Sequence, residues 1–344
     1  MIYFQCDYAE GCHPRILEKL TETNFAQTPG YGMDTICDEA RAAVKRVCGT
    51  PGADVHFLVG GTQANTTVIS HILRPWQGAL CADTGHIAVH ETGAIEATGH
   101  KVLPLPNTNG TITGDQVRAY CTDHFNDGSH EHIVQPGMVY ISFPTESGTL
   151  YSKAQLTDLY AACREWNLPL FIDGARLGYG LMSPACELTI EELAQLCDVF
   201  YIGGTKCGAL FGEAVVITND GLKKDFRYSI KRHGGMLAKG RLLGIQFLTL
   251  MEEGLYFDIC KQAVDYALEI RAAFEAKGIE MFGTSMTNQQ FPILTKTQME
   301  AFDGKFAYEY WGRYDESHSI VRFCTSWATK RENVDALLAA IAEL

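Results

Sequence analysis

One lysine stands in an otherwise uncharged, glycine-rich turn after an apolar run: Val199-Phe-Tyr-Ile-Gly-Gly-Thr-Lys-Cys-Gly-Ala-Leu-Phe-Gly212 carries Lys206. Upstream, the apolar run Leu168 to Asp173 closes on a carboxylate and continues at once into Gly174-Ala-Arg176. A third run, Asp54 to Val59, ends in Gly60-Gly61-Thr62 before a helical pattern through Leu73. Strand, glycine turn and helix in that order present unpaired N–H groups and a positive dipole to an anion. A fourth run, Gly78 to Ala82, leads to His86 and His90, either of which can pack an imidazole over a flat ring.

An amine, a carboxylate, an imidazole and an anion-binding turn suit one phosphorylated aromatic cofactor, pyridoxal 5′-phosphate. The Lys206 amine would form a Schiff base with its aldehyde, and Asp173 would keep its pyridine nitrogen protonated so that the ring accepts electrons. Gly60, Gly61, Thr62 and Thr205 would hold the phosphate. The two states pull in opposite directions: burial favours a neutral lysine, while a pyridinium partner favours an ionised aspartate. Each residue also has a plainer use. Asp173 can cap a helix, Lys206 can be solvated, Arg176 can simply pair with Asp173, and each histidine can cap a helix or edge a core. His86 and His90 lack an intervening glutamate and a third ligand, so no metal is expected. Neither G-x-G-x-x-G nor G-x-x-x-x-G-K-[ST] is complete, which argues against a dinucleotide fold and a P-loop.

Alternating apolar runs and helical patterns must position these groups. The run 101–105, a helix near 114–121, the strand 138–142, a helix around 154–166 and the strand 213–217 extend the alternation. The pattern predicts an α/β fold with a mostly parallel sheet covered on both faces, its ligands beyond the carboxyl ends of the strands. Glu146, in Phe143-Pro-Thr-Glu-Ser-Gly148, would join the others at that edge. Residues 1–50 read as an N-terminal arm with two helices, 51–250 as the large domain and 251–344 as a small α+β domain. Ser229 to Met236 reads as a basic loop, and one long helical region is expected from Lys239 to Lys277.

With 344 residues, 46% hydrophobic and 20% charged, the composition is that of an ordinary globular enzyme or binding protein. A formal net charge of −13 without a basic stripe disfavours nucleic acid. No long apolar run or leader-like N-terminus appears, so a cytoplasmic protein without a membrane partner is expected. The twelve cysteines are scattered, none in a Cys-x-x-Cys pair, and read as reduced core thiols.

Taken together, Gly61-Thr-Gln-Ala-Asn65, His86 with Glu91-Thr-Gly93, Phe171-Ile-Asp-Gly-Ala-Arg176 and Gly204-Thr-Lys206 resemble the low-specificity L-threonine aldolases. These lie within the β-eliminating lyase group of fold-type I, aspartate aminotransferase-like enzymes. The resemblance implies retro-aldol cleavage of a β-hydroxy-α-amino acid to glycine and an aldehyde. It implies Lys206 as the Schiff-base lysine, Asp173 as the pyridine partner, His86 stacked on the ring and Gly61-Thr62 on the phosphate. Arg176 and Arg322 would take the substrate carboxylate, and His86, with His90, Glu91 or Glu146 assisting, the hydroxyl proton. Tyr31, in a loop that the family often contributes from a neighbouring subunit, implies a homodimer or homotetramer. The chain departs from the family where Cys6 replaces a carboxylate-holding serine, where Glu146 replaces a histidine near the substrate side chain, and in the loop 233–238. The alternatives are β-elimination, aminotransfer or racemisation on the same scaffold, or a non-catalytic binding protein of this fold.

Overall fold

The computed structural model describes residues 1–344. After a short N-terminal strand, β1 (Ile2–Tyr3), come the seven strands of the central sheet. These are β2 (Asp54–Leu58), β3 (Gln77–Ala82), β4 (Lys101–Leu105), β5 (Gln135–Ser142), β6 (Leu170–Asp173), β7 (Val199–Gly203) and β8 (Glu213–Ile217). Their spatial order is β2-β8-β7-β6-β5-β3-β4. All neighbours run parallel except β8, which is antiparallel to both β7 and β2. The carboxyl ends of β2, β3, β5, β6 and β7 therefore share one edge with the start of β8. Register makes this concrete: Ser142 lies opposite Asp173, and Glu213 lies opposite both Gly203 and Leu58.

The sheet is doubly covered because its strands are apolar on both faces. Every residue of β6, β7 and β8 is buried. Successive side chains of β7 feed opposite cores, Phe200 and Ile202 one, Val199 and Tyr201 the other, as the two-residue period of a strand requires. The covering helices Gly114–Asn126 and Lys153–Glu165 each begin with a capping box, Thr113 with Gln116 and Ser152 with Gln155. That reciprocal pairing satisfies two otherwise orphaned N–H groups.

A second sheet lies toward the C-terminus: β9 (Gln289–Gln290) and β10 (Ile293–Thr295) pair with β13 (His318–Cys324), whose other neighbour is β12 (Glu309–Arg313). The remaining strand, β11 (Phe306–Ala307), pairs with β1. Phe4 enters the core formed with Phe274, Phe323, Val334 and Leu337, so the first residues are built into this layer.

Two local expectations change. The long helical region is two helices, Arg241–Met251 and Leu255–Ala276, broken where Glu253 (φ 54°) and Gly254 (φ 78°) turn left-handed. Apolar periodicity resumes after the break and hides it. The basic stretch opens inside a helix, Phe226–Arg232, before its glycines end it. His86 opens a single helical turn, His86–Val89, and His90 closes it. All twelve cysteines are free thiols, ten of them buried. No helix is long and apolar enough to cross a membrane.

Candidate active site

At the shared strand edge Lys206, Arg176, His86, His90 and Glu146 meet Tyr8, Glu309, Trp311 and Arg322 around one cavity of about 260 Å³. Lys206 reaches it from the turn after β7. Gly204 and Thr205 N–H both donate to the Gly212 carbonyl (2.9 and 3.2 Å), and Gly212 N–H donates to the Thr205 hydroxyl (2.9 Å). Gly212 sits at φ 112°, which a side chain would resist. The Lys206 carbonyl accepts from the Tyr179 hydroxyl (2.5 Å). Burial, then the Arg176 guanidinium, pushes the Lys206 amine below its ordinary pKa, against the nearby carboxylates of Asp7, Asp173 and Glu213. It is the only lysine lining the cavity.

Asp173 ends β6 fully enclosed. Its Oδ2 accepts from Tyr140 Oη (2.6 Å) and Asn65 Nδ2 (3.0 Å), and its Oδ1 from Ala175 N–H (3.0 Å) and the Tyr201 hydroxyl. Burial alone would raise its pKa, but the His86 charge and these donors hold it below the usual carboxylate range. Gly174 permits the close approach of the neighbouring strand: a Cβ there would lie 1.9 Å from the Tyr201 carbonyl oxygen. Asn65 extends the network, its Nδ2 also donating to Glu91 Oε1 (2.7 Å). Glu91 in turn pairs with His86 Nδ1 (2.8 Å). That contact fixes the Nδ1–H tautomer and leaves Nε2 as the proton-accepting nitrogen. Burial would lower the His86 pKa; the Glu91 hydrogen bond and the Asp173 charge more than offset it, so His86 lies above its ordinary value.

The arginines are tied to the N-terminal segment. Arg176 Nε and Nη2 grip the buried Asp7 carboxylate (2.7 and 3.1 Å), and the Gln5 carbonyl accepts from Arg322 Nη2 (3.0 Å). Arg322 also binds Gln289 Oε1 (2.9 Å) and Glu309, lies over the Trp311 ring (5.2 Å), and keeps a buried, unpartnered Nε.

The cavity thus gathers Lys206, His86, His90, Glu146, Arg176 and Arg322, with Asp173 behind them. Gly60, Gly61 and Thr62 form the N-terminal end of the helix Gly61–Ile72, which carries no side-chain cap, so its first N–H groups remain available. Thr205, Glu91, Cys6 and Tyr31 do not line the cavity. The Thr205 hydroxyl donates to Glu213 Oε1 (3.0 Å). Glu91 sits behind His86, with no place on the cavity wall, where its contact with Nδ1 can orient the imidazole. Cys6 does not line the cavity, since the residues on either side of it do the anchoring. Tyr31 lies away from the cavity in its own chain, on an open surface with Arg227, Tyr228, Lys231 and Met236. Arg176 pairs with Asp7, not Asp173.

Sequence reasoning assigned no role to Asp7, Asn65, Tyr140, Tyr201, Glu213 or Trp311. Asn65 lies in the Gly61–Asn65 motif and Asp7 beside Cys6, and a polar residue in an apolar run, as Tyr140 and Tyr201 are, is a usable signal. Glu213 carried the same signal, an acid opening the apolar run of β8. Burial raises its pKa to about 8 despite Lys206, and its Oε2 has no partner.

Residues 14–297 match the family model described as beta-eliminating lyase. A low specificity L-threonine aldolase of a Pseudomonas species is 28% identical over 98% of this chain and 96% of its own. A solved threonine aldolase from Leishmania major is 42% identical, covers 100% of this chain and 99% of its own, and superposes at TM-score 0.96. A Thermus thermophilus aspartate aminotransferase mutant, at 15% identity and TM-score 0.73, covers 100% of this chain and 91% of its own and shares the fold.

Proposed function

Because the chain belongs to the beta-eliminating lyase family, we propose that it cleaves L-threonine, L-allo-threonine or a related β-hydroxy-α-amino acid to glycine and an aldehyde. It is a fold-type I lyase that depends on pyridoxal 5′-phosphate. The convergence of Lys206, His86 and two arginines on one cavity, with the enclosed Asp173 behind it, carries the reading.

The residues fit the cofactor. Lys206 is the only lysine on the cavity wall, and the nearby helix Gly61–Ile72 begins without a side-chain cap, which suits an aldehyde and a phosphate. Lys206 is held toward its neutral, reactive form and Asp173 toward its ionised one. Asp173, kept ionised by neutral donors at the end of β6, would hold a protonated ring nitrogen as an ion pair. Gly61 and Thr62 amides would hold the phosphate, His86 the ring and Lys206 the aldehyde. When bound, the cofactor supplies the electron sink for the charge left at the substrate α-carbon.

The chain's own residues do the rest. Arg322 and Arg176, both on the cavity wall, orient the substrate carboxylate. His86 Nε2 takes the β-hydroxyl proton, with Glu91 holding the ring and Asn65 holding Glu91. Glu146 accepts from His86 N–H (2.8 Å) and Ser142 Oγ (2.7 Å), which fixes its carboxyl on the wall where the hydroxyl must lie. Burial raises its pKa, suiting it to pass a proton.

Aldehyde release from threonine and allo-threonine tests the reaction; keto acid from ordinary amino acids with no aldehyde from any β-hydroxy amino acid would overturn it. His86→Ala is expected to lower kcat by about 10²- to 10⁴-fold while cofactor is retained. Glu91→Gln provides a finer check. A protonated His86 cannot act as base, so kcat/KM rises with pH through its raised pKa. Removing the Glu91 charge should move that rising limb to lower pH, and an unmoved limb would assign the proton to another group.

The assembly we propose is a homodimer or homotetramer, in which Tyr31 serves a neighbouring subunit's cavity. Its exposure (48%) beside Tyr228 (78%), away from its own cavity, supports this. The free thiols support a reducing, cytoplasmic setting.

A further inference from the structure

A guanidinium has N–H groups on three nitrogens, and those of Arg322 are largely committed. Nη1 donates to Gln289 Oε1 (2.9 Å), while Nη2 donates both to the Gln5 carbonyl (3.0 Å) and to the Glu309 carboxylate. Nε is buried without a partner. Both hydrogens of Nη2 are therefore taken. A carboxylate gripped by two parallel bonds needs Nη2 in either geometry, paired with Nη1 at the tip of the fork or with Nε along its side. One of the two Nη2 partners must leave before that grip forms.

Glu309 is the partner free to move. The Gln5 carbonyl is backbone, whereas the Glu309 side chain keeps 46% of its surface exposed and lines the same cavity as Arg322. Glu309 on β12 lies directly opposite Arg322 on β13, so the contact is a cross-strand pair. An arriving substrate brings a second carboxylate to one guanidinium, and the two like charges repel. Arg322 keeps its place without Glu309, because Gln289, the Gln5 carbonyl and the Trp311 ring (5.2 Å) hold it from other sides. Arg176 provides no side-on fork instead, its Nε and Nη2 being bound to Asp7.

Resting on the reading above in which Arg322 takes the substrate carboxylate, we infer that Glu309 is an internal competitor for that site: it occupies the guanidinium of the empty enzyme and swings toward solvent when an amino-acid carboxylate displaces it. The exchange lowers the apparent affinity of every carboxylate-bearing ligand by the fraction of molecules in which the site is open. A ligand that engages Lys206 alone is unaffected. Selectivity follows from the same cost, since a simple carboxylic acid incurs it without the bond at Lys206 that offsets it for an amino acid.

The test uses the cofactor-loaded enzyme and follows cofactor absorbance, which reports capture of an amine without any carbon–carbon cleavage. L-Alanine carries amine and carboxylate, ethylamine the amine alone, and propionate, scored as a competitor of alanine, the carboxylate alone. Glu309→Gln removes the charge and keeps the shape. It should tighten alanine and propionate by a common factor of about 3 to 10, the range a half-exposed charge pair supplies, and leave ethylamine unmoved. Glu309→Ala should act in the same direction, and KM for L-threonine should fall by more than kcat changes. With Arg322 already replaced by alanine, the Glu309 substitutions should no longer alter alanine binding, as a double-mutant cycle requires of a direct pair. Alanine affinity unchanged or weakened in both Glu309 variants while Arg322→Ala weakens it, or ethylamine tightened equally, would overturn the inference. Arg322→Ala binding alanine as well as wild type does would refute the carboxylate reading and the inference with it. Aldehyde from no substrate, with the alanine pattern intact, would refute the aldolase reading and leave the role of Glu309 standing.

Discussion

Lys206→Ala is expected to reduce turnover on the order of 10³-fold or more, as removal of a covalent nucleophile does elsewhere. Borohydride reduction of the wild-type holoenzyme should leave cofactor mass attached to the peptide carrying Lys206, and the variant should carry none. Two observations make the effect specific. Lys206 is the only lysine at the cavity, so no second amine stands in for it. Its turn is held through backbone groups, namely the Gly212 carbonyl, the Lys206 carbonyl under Tyr179, and Gly203, whose carbonyl accepts from Tyr256 Oη (3.0 Å). Truncating the side chain therefore leaves the turn intact, and the variant should unfold at the wild-type midpoint when both are cofactor-free. Lys206→Arg separates charge from nucleophilicity, since guanidinium stays protonated and cannot attack. It should be as inactive as the alanine variant. Cofactor mass fixed to the alanine variant after reduction would move the covalent role to another residue.

The parts of this site that could be read in the chain are those built locally. Gly60 to Thr62, Asp173 to Arg176 and Gly204 to Lys206 each follow directly on an apolar strand, and glycine at a strand end reports a tight turn whatever lies around it. Parallel strands place such ends on one edge, so co-localisation of Lys206, Asp173 and His86 follows from topology alone. The supporting contacts are of another kind. Asp7 meets Arg176 across 169 residues, and Asn65 meets Asp173 across 108. Glu213 reaches the edge because β8 runs antiparallel, a reversal that its apolar sequence does not encode. The Thr205–Glu213 contact is set by the same reversal. Arg322 was legible only through family resemblance, since its place in the cavity depends on β13 packing beside β12, which carries Trp311 and Glu309. The break at Glu253 and Gly254 escaped for the opposite reason: the local glycine was visible, but uninterrupted periodicity outweighed it.

The largest stability effect is expected from Asp7→Ala, at about 3–5 kcal/mol, because it strands the Arg176 guanidinium in a buried site without its counter-charge. Asp7 is wholly enclosed, and besides both contacts from Arg176 it accepts from Asn288 Nδ2 (2.9 Å). Burial alone would raise its pKa; the charge of Arg176, then that of Lys206, and these hydrogen bonds bring it down to about 2. A carboxylate depressed in the folded state stabilises fully above its unfolded pKa, near 3.8, and loses that contribution as pH falls toward about 2. Urea midpoints recorded from pH 5 downward should therefore fall more steeply for wild type than for Asp7→Asn, which has no proton to take up. Kinetics distinguish the anchoring role from simple loosening of the fold. Freed from Asp7, Arg176 no longer presents its remaining N–H groups at a fixed angle, so KM for the amino acid should rise more than kcat falls, the pattern of lost uniform binding. Because Gln5 and Asp7 tether Arg322 and Arg176 from one segment, displacing it should weaken both ends of the carboxylate grip together. Asp7→Ala with wild-type KM would show instead that Arg322 alone holds the carboxylate.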